Sequence, residues 1–226
     1  RGGWGVTISR EPAAGPLMTA FVPNATARER VLNYLRPWID LYKVDLKSFD
    51  DRHYRQLGGR IDPILFTIRR LHDMGIWIEI VTLLIPGFND GEDELRSLTT
   101  FLAGVSAEIP WHVTAFHPDY KMNDVGPTTA AMLQRASLIA REAGLRYVYA
   151  GNLPGRVGQL ENTFCTQCGE LLIARYGYLI QKYALTPDGD CPTCGVHLPG
   201  RWARAFGGQR TSMPFLPHDR RRISVL

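Results

Sequence analysis

Four cysteines form two closely spaced pairs, Cys165 with Cys168 and Cys191 with Cys194. Each pair is a Cys-x-x-Cys followed by Gly, and 22 residues separate one pair from the other. Two such turns can bring four thiolates around one tetrahedral ion, and a chain that uses its cysteines this way suits a reducing compartment. The spacing predicts a small zinc ribbon over residues 163–199 in which the metal is structural, with an iron–sulfur cluster as the alternative.

A second pattern with chemical potential lies in residues 41–49, where a short apolar strand carries Asp45 and Lys47. Residues two apart on a strand point to one face, and a charge on a buried strand is costly unless it is paired or binds something. One interpretation is an edge strand with a solvated face. The other is a central strand whose charged side chains face a ligand cavity, and the similar strands before and after it favour this second interpretation.

The elements that would position these residues alternate between strand and helix. Predicted strands cover residues 17–22, 41–49, 77–85, 111–116 and 147–149, and predicted helices cover residues 27–35, 62–75, 92–105 and 129–143. Such alternation implies an α/β fold with a parallel sheet and right-handed crossovers. Four and a half units do not close an eight-stranded barrel, so we expect an incomplete (β/α) barrel over residues 17–155, after an irregular segment at 1–16.

Polar residues cluster after the predicted strands. They are Asn24, Asp45 with Lys47, Asn89 with Asp90, and His117 with Asp119. In parallel sheets and barrels, ligands bind at the carboxyl ends of the strands, so these positions predict a shared pocket. Asn89 and Asp90 are the exception, because they are better interpreted as the cap of the helix that follows.

The net charge of +4 is concentrated at the end of the sequence. Residues 201–226 hold six Arg and one Asp, a charge of +5, which leaves −1 for the rest. This predicts a flexible basic tail at 200–226 and an alternative function, a non-enzymatic zinc-ribbon protein that binds nucleic acid or a protein partner through the tail. The tail lacks the aromatic interleaving that is typical of proteins that bind single-stranded nucleic acid, which disfavours a nucleic-acid partner. No apolar run could span a membrane and no secretory signal opens the sequence, so we expect a cytoplasmic protein.

Several stretches, taken in order, resemble one known family. They are residues 44–51 (Val-Asp-Leu-Lys-Ser-Phe-Asp-Asp), 85–90 (Ile-Pro-Gly-Phe-Asn-Asp), 110–113 with 116–121 (Pro-Trp-His-Val and Phe-His-Pro-Asp-Tyr-Lys), 147–152 (Tyr-Val-Tyr-Ala-Gly-Asn) and the cysteine ribbon. Together they resemble the radical S-adenosylmethionine (SAM) enzyme of the AmmeMemoRadiSam system, which is similar to pyruvate formate-lyase activating enzymes. The resemblance runs from about residue 17 to residue 202.

The resemblance implies a parallel partial barrel of the radical SAM type. In that family a [4Fe–4S] cluster, held by a Cys-x3-Cys-x2-Cys loop, binds SAM and reduces it to a 5′-deoxyadenosyl radical. Carried over residue by residue, Lys47 would meet the methionine carboxylate and Asp45 would take a polar or cation-binding role. Asn24 would match a polar residue at an earlier strand end, and His117 would lie near the nucleoside.

The sequence departs from the family in having no Cys-x3-Cys-x2-Cys, since all its cysteines belong to the ribbon. The resemblance therefore implies the C-terminal portion of such an enzyme, without the cluster-binding part and inactive as given, and it identifies no catalytic residue. A catalytically dead scaffold of the same family also fits the sequence. The implied partners are SAM and either Memo-like and AMMECR-like proteins or a protein substrate.

Overall fold

The computed structural model describes residues 19–22, 28–119, 122 and 124–202. Its strands are β1 (Ala20–Phe21), β2 (Leu41–Asp45), β3 (Trp77–Leu84), β4 (Trp111–Ala115), β5 (Val148–Gly151), β6 (Thr163–Phe164), β7 (Leu171–Tyr176) and β8 (Leu179–Tyr183). Its α-helices are α1 (Glu29–Leu35), α2 (Asp51–Gln56), α3 (Asp62–Asp73), α4 (Glu92–Val105) and α5 (Ala130–Glu142), and short 3-10 turns lie at Arg36–Trp38 and Gly158–Glu161.

The first five strands form one parallel sheet in the order β1-β2-β3-β4-β5. Each strand therefore pairs with the strand that precedes it in the chain, and helices make the crossovers between them. This confirms the predicted α/β class and the partial barrel. Among the described residues, no helix is both long enough and apolar enough to cross a membrane.

One face of the parallel sheet packs on the helices and forms the core. Alternate residues of the strands, such as Val44, Ile80 and Val113, are fully buried there, because side chains on a strand point alternately to its two faces. Trp111 is the largest fully buried side chain. Its indole N–H donates to Thr82 Oγ1 at 2.9 Å, and Thr82 Oγ1 donates to Leu46 O at 2.8 Å, so the core has no polar group left unpaired at this point.

The remaining strands form a three-stranded antiparallel sheet in the order β6-β7-β8, built around a small apolar core that includes Leu172 and Leu198. Among the strands that the structure describes, β8 pairs only with β7, and every residue of β8 is exposed. We call residues 163–202, which hold this sheet and the cysteines, the ribbon. The predicted zinc-ribbon segment, 163–199, falls within it.

The strand that carries Asp45 is shorter than predicted. It ends at Asp45, and the amide of Leu46 makes its last bond to the neighbouring strand, donating to Val81 O at 2.9 Å. The next amide but one after the strand, that of Lys47, donates to the hydroxyl of Tyr54 at 2.8 Å and not to β3, so Lys47 belongs to the loop after β2. The hydrophobic pattern continues through Leu46 and Phe49 because those side chains pack on the core from the loop, which strand periodicity alone does not reveal.

Candidate functional site

The parallel sheet leaves its second face only partly covered. We call it the open face, defined by the side chains of Lys43, Asp45, Glu79, His112 and Tyr149, each of which is half-buried. They lie on the four adjacent strands β2 to β5. Side chains alternate along a strand, so the residues on either side of each one point into the core and these five point to the other face. Lys43 Nζ pairs with Asp45 Oδ1 at 2.9 Å, so two opposite charges of one strand neutralise each other on this face.

Glu79 and His112 make the second polar pair of the open face. His112 Nε2 lies 3.0 Å from Glu79 Oε2, and the indole N–H of Trp77 donates to Glu79 Oε1 at 3.3 Å. Burial by itself raises the pKa of Glu79, but the hydrogen bond and charge of His112, with smaller contributions from Trp77 and Arg175, hold that pKa below its usual range. An ionised Glu79 accepts from Nε2–H and so fixes the tautomer of the imidazole.

Tyr149 joins this pair to the ribbon. The His112 and Tyr149 rings are stacked with centroids 5.1 Å apart, and the Tyr149 hydroxyl lies 2.9 Å from Thr163 Oγ1. Arg175 donates to the same Thr163 oxygen at 2.8 Å, and its guanidinium lies over the Tyr149 ring at 5.6 Å from the centroid. Side chains of the ribbon therefore complete one side of the open face.

The loops after β2 and β3 are tied together at the carboxyl edge of the sheet. Asn89 is buried, and its amide donates to Lys47 O at 2.6 Å and to Leu83 O at 2.9 Å. The interpretation of Asn89 as a helix cap is wrong, since the α4 N-cap is Gly91 without a side-chain cap. An Asn is equally suited to tie two loops, because its amide both donates and accepts, and its type alone cannot separate the two roles.

A buried polar cluster supports the same edge. Ser48 is fully buried and its hydroxyl donates to Glu94 Oε1 at 2.5 Å, while the amide of Phe49 donates to the same oxygen at 2.7 Å. His53 Nδ1 lies 3.0 Å from Ser48 Oγ, and its ring stacks on Phe88. The buried hydroxyl is not accessible as a nucleophile, so this cluster positions the loop that carries Lys47.

The structure describes three of the four predicted cofactor residues. Asp45 lies on the open face in its pair with Lys43. Lys47 and His117 are exposed beyond the ends of β2 and β4, and no hydrogen bond or ion pair among the described residues joins either of them to Asp45. Asn24 lies outside the described residues, as do residues 1–18 and most of the predicted basic tail, from 203 onward.

The four cysteines come together as predicted. Their sulfur atoms all lie within 4.8 Å of one another, with Cys165 Sγ 3.5 Å from Cys194 Sγ and Cys168 Sγ 3.6 Å from Cys191 Sγ. Gly169 and Gly195 close the two turns in the left-handed region, at φ 77° and 73°, and their amides donate to Cys165 O and Cys191 O. All four cysteines are free thiols, and the donor set fits one tetrahedral metal ion.

The thiols do not ionise alike. Burial raises the pKa of Cys165, but the backbone amides of Cys168 and Gln167 and the neighbouring thiols outweigh it and lower that pKa to about 7. The amide of Glu170 lowers the pKa of Cys168, but desolvation and the three other cysteines raise it to about 12. Negative sulfurs at this spacing repel one another, so four thiolates require a cation between them.

Sequence reasoning missed the residues that dominate the open face, namely Lys43, Glu79, His112 and Tyr149. The sequence did carry a signal for them, because each of the four polar or aromatic residues stands between two apolar residues of a strand that are buried in the core. The sequence cannot give the register between β3 and β4. In the structure His112 is opposite Val81, and this places it diagonally across from Glu79.

A cleft of about 400 Å³ lies elsewhere, at the amino-end edge of the sheet. Arg36, Asp40 and Arg201 line it, and Arg201 donates to Gly75 O at 2.9 Å. Ligands of parallel sheets bind at the opposite edge, so this cleft is not the candidate site.

Comparison with known proteins gives three informative relatives, although no protein-family model matches the sequence. An uncharacterized protein of Methanocaldococcus jannaschii is 40% identical over 159 residues, which is 70% of this chain and 47% of the relative. The choline trimethylamine-lyase activating enzyme of Oleidesulfovibrio alaskensis is 33% identical over 85 residues (37% of this chain, 27% of the enzyme). The pyruvate formate-lyase-activating enzyme of Staphylococcus aureus is 31% identical over 97 residues (42% of this chain, 38% of the enzyme).

The chain thus spans less than half the length of these curated relatives. Among solved structures, a domain of a pyruvate-formate lyase-activating enzyme from Bacteroides vulgatus superposes with a TM-score of 0.52 at 20% identity, covering 60% of this chain and 82% of that domain. The chain therefore shares its fold with an activating-enzyme domain and, over parts of its length, is similar in sequence to activating enzymes.

Proposed function

We propose that the chain is the sheet-and-ribbon part of a radical SAM enzyme of the activating-enzyme type, and that it belongs to the AmmeMemoRadiSam group. The observation that carries the proposal is the open face. Among the described residues, a parallel sheet with similarity to activating enzymes has one face that is only partly covered, and the charges of Lys43, Asp45 and Glu79 lie there. Lys43 is paired with Asp45, and Glu79 is paired with His112, so the face tolerates these charges, and their half-exposed polar atoms are suited to binding a polar ligand.

The residues near the carboxyl edge fit SAM. The Lys47 ammonium is exposed and has no ion-pair partner among the described side chains, so it is available to the methionine carboxylate. Asp45, already balanced by Lys43, would take a polar or cation-binding role. His117 would contact the nucleoside, and Asn24 would serve at the preceding strand end. When bound to a reduced [4Fe–4S] cluster, SAM supplies the 5′-deoxyadenosyl radical to the reaction.

The ribbon thiols do not fit that cluster. A four-iron cluster places each thiolate on a different iron, which requires wider spacing than the 3.5 Å and 3.6 Å seen between the sulfur pairs. The cluster ligands would therefore come from outside these 226 residues, and these residues alone would not cleave SAM. What they would contribute is the face that holds and orients SAM and its substrate.

Zinc is the metal we assign to the ribbon. Four thiolates at Zn–S distances of about 2.3 Å place their sulfurs about 3.8 Å apart, which is close to the sulfur spacing observed. The set leaves no open coordination position, so the metal would be structural and would stabilise a segment whose own apolar core is small.

The substrate would be a protein or a small molecule, and Memo-like and AMMECR-like proteins are the partners that the resemblance suggests. Free thiols that hold a metal require a reducing compartment, so we place the protein in the cytoplasm. The alternative, binding of nucleic acid or a protein through the basic tail, concerns residues that the structure does not describe and stays a prediction.

The test is SAM cleavage by the protein expressed with its upstream coding segment and reconstituted with iron and sulfide under anoxic conditions. We expect 5′-deoxyadenosine, detected by mass spectrometry. Lys47→Met should weaken SAM binding by about tenfold or more, the value of one charge-assisted hydrogen bond. The matched control is Lys182→Met, whose ammonium pairs with Glu170 on the ribbon. A fully loaded cluster that yields no 5′-deoxyadenosine would contradict the proposal.

A further inference from the structure

A continuous path of contacts leads from the ribbon to the Glu79–His112 pair. Arg175, on β7, donates to Thr163 Oγ1 at 2.8 Å and to Glu161 O at 3.2 Å. Thr163 Oγ1 lies 2.9 Å from the Tyr149 hydroxyl, and the Tyr149 ring stacks on His112. Thr163 is buried, so its hydroxyl is committed to these two partners.

The path fixes the imidazole from two directions. The carboxylate of Glu79 accepts a hydrogen bond from His112 Nε2–H, and the Tyr149 ring covers one side of the His112 ring. His112 Nδ1 has no hydrogen-bond partner among the described residues, and the side chain remains 31% exposed. A neutral imidazole that donates through Nε2 presents the lone pair of Nδ1, so the free nitrogen is a hydrogen-bond acceptor.

The carboxylate of Glu161 ties the ribbon end of this path to the end of the parallel sheet. Glu161 is nine-tenths buried, and its two oxygens accept from the amides of Gly155 and Gly177, each at 2.7 Å. Gly155 follows the parallel sheet, and Gly177 is the turn between β7 and β8. Glu161 therefore holds the hairpin that carries Arg175 against the end of the sheet.

We propose that His112 accepts a hydrogen bond from the ligand of the open face, and that Thr163, Arg175 and Tyr149 are positioning residues through which the metal-bound ribbon orients it. The ligand would present an N–H or O–H group to Nδ1. The charge of Arg175 also reaches Glu79, where it helps to lower the pKa of that carboxylate, which is consistent with a ribbon side chain acting on the open face.

This inference depends on the proposed function only for the identity of the ligand. The coupling between ribbon and His112 can be measured on the 226-residue chain without SAM or a cluster. A failure of the coupling therefore leaves the proposed function standing, and the absence of SAM cleavage leaves the coupling intact.

The experiment is NMR of the zinc-loaded chain labelled with ¹⁵N-histidine, at about pH 8, where an ordinary imidazole is neutral. We expect the His112 signals to show the Nε2–H tautomer and ring protons shifted upfield by Tyr149. Thr163→Val and Arg175→Met should each reduce that upfield shift by roughly half or more, and Thr163→Ser should restore it. Arg156→Met, at an exposed arginine without a side-chain partner among the described residues, is the matched control.

Zinc content is measured on every variant, so that a collapsed ribbon is recognised. If Thr163→Val or Arg175→Met loses the metal, Tyr149→Phe decides, because it removes only the hydroxyl that meets Thr163 and leaves the cysteine turns untouched. Removal of zinc from the wild type by a chelator should reproduce the loss of the upfield shift. Unchanged His112 signals in Tyr149→Phe and in the zinc-free chain would overturn the inference.

Discussion

At the scale of single residues, several charged groups among the described residues form pairs that the sequence could only partly indicate. The Cys-x-x-Cys spacing was sufficient to predict a site of four sulfurs, because the ligands of each turn are local in sequence. The Glu79–His112 pair could not be found in the same way, because its members lie 33 positions apart in the sequence and the strand register brings them together. Lys43 and Lys47 lie two positions on either side of Asp45, so sequence spacing alone could not show that Lys43 is the one that pairs with it.

Glu79 should make the protein sensitive to acid. A carboxylate whose pKa is lowered in the folded state stabilises it above the unfolded pKa, about 4.3 for Glu, and this contribution is lost as the pH falls through the folded value. We therefore expect stability to decline from about pH 5 downward, and Glu79→Gln to decline less over that interval. Thermal unfolding between about pH 3 and pH 7 measures this. Glu108→Gln, at a surface carboxylate, is the control, and a Glu79→Gln profile parallel to that of the wild type would contradict the prediction.

Glu94 should matter more than its neighbour Glu92, although both lie in the first turn of α4. Glu94→Ala leaves the buried Ser48 hydroxyl and the Phe49 amide without their acceptor, which should cost about 1–3 kcal/mol of unfolding free energy. Glu92→Ala removes an exposed pair with Arg96 that solvent screens, so it should cost much less unfolding free energy than Glu94→Ala. Urea denaturation compares the two, and equal losses would show that the Ser48 cluster does not hold the loop.

At the scale of elements, hydrophobic periodicity predicted the parallel sheet well because one side of each strand and helix is apolar. Helix α4 has the predicted bounds, since acidic residues fill its first turn and its apolar stripe is regular. The observed elements differ from the predicted ones where a side chain from outside an element hydrogen-bonds to the backbone and so sets its course. Strand β2 stops at Asp45 because Tyr54 and Asn89 bind the backbone of Lys47, and Asn89 ties two loops where a helix cap was predicted.

Glu161 should determine whether the β7–β8 hairpin stays joined to the end of the parallel sheet. Glu161→Ala removes both acceptors from the amides of Gly155 and Gly177, whereas Glu161→Gln keeps one oxygen and should retain part of the contact. Hydrogen exchange of these two amides should accelerate by about tenfold or more in Glu161→Ala and less in Glu161→Gln. Exchange that is unchanged at both glycines would mean that other contacts hold the hairpin.

At the scale of the whole molecule, two sheets of different construction share one polar face. The parallel sheet has a large apolar core, whereas the ribbon has a small one that includes Cys165, Cys191 and, partly buried, Cys194. Sequence patterns identified both parts, because each has its own signature. The way in which they meet, through Tyr149, Thr163 and Arg175, is a matter of tertiary contact between residues that carry no motif.

The metal should be essential to the ribbon and not to the parallel sheet. Purified protein should contain about one zinc and no iron per chain, measured by elemental analysis. Cys168→Ser should lower the zinc content and abolish protection of the β7–β8 amides from exchange, while the amides of β3 and β4 stay protected. Thr193→Ser, an exposed position within the second turn, is the control. Full zinc content in Cys168→Ser would argue against a four-thiolate site.

The nearest-neighbour strand order also bears on how the molecule is made. Each strand of the parallel sheet adds to the edge left by its predecessor, so the sheet can grow by one unit at a time as the polypeptide emerges from the ribosome. The cysteines are synthesised after all five of these strands. Capture of a metal by these cysteines would therefore be a late event in biogenesis, and it would attach a hairpin to a sheet whose strands have already been synthesised.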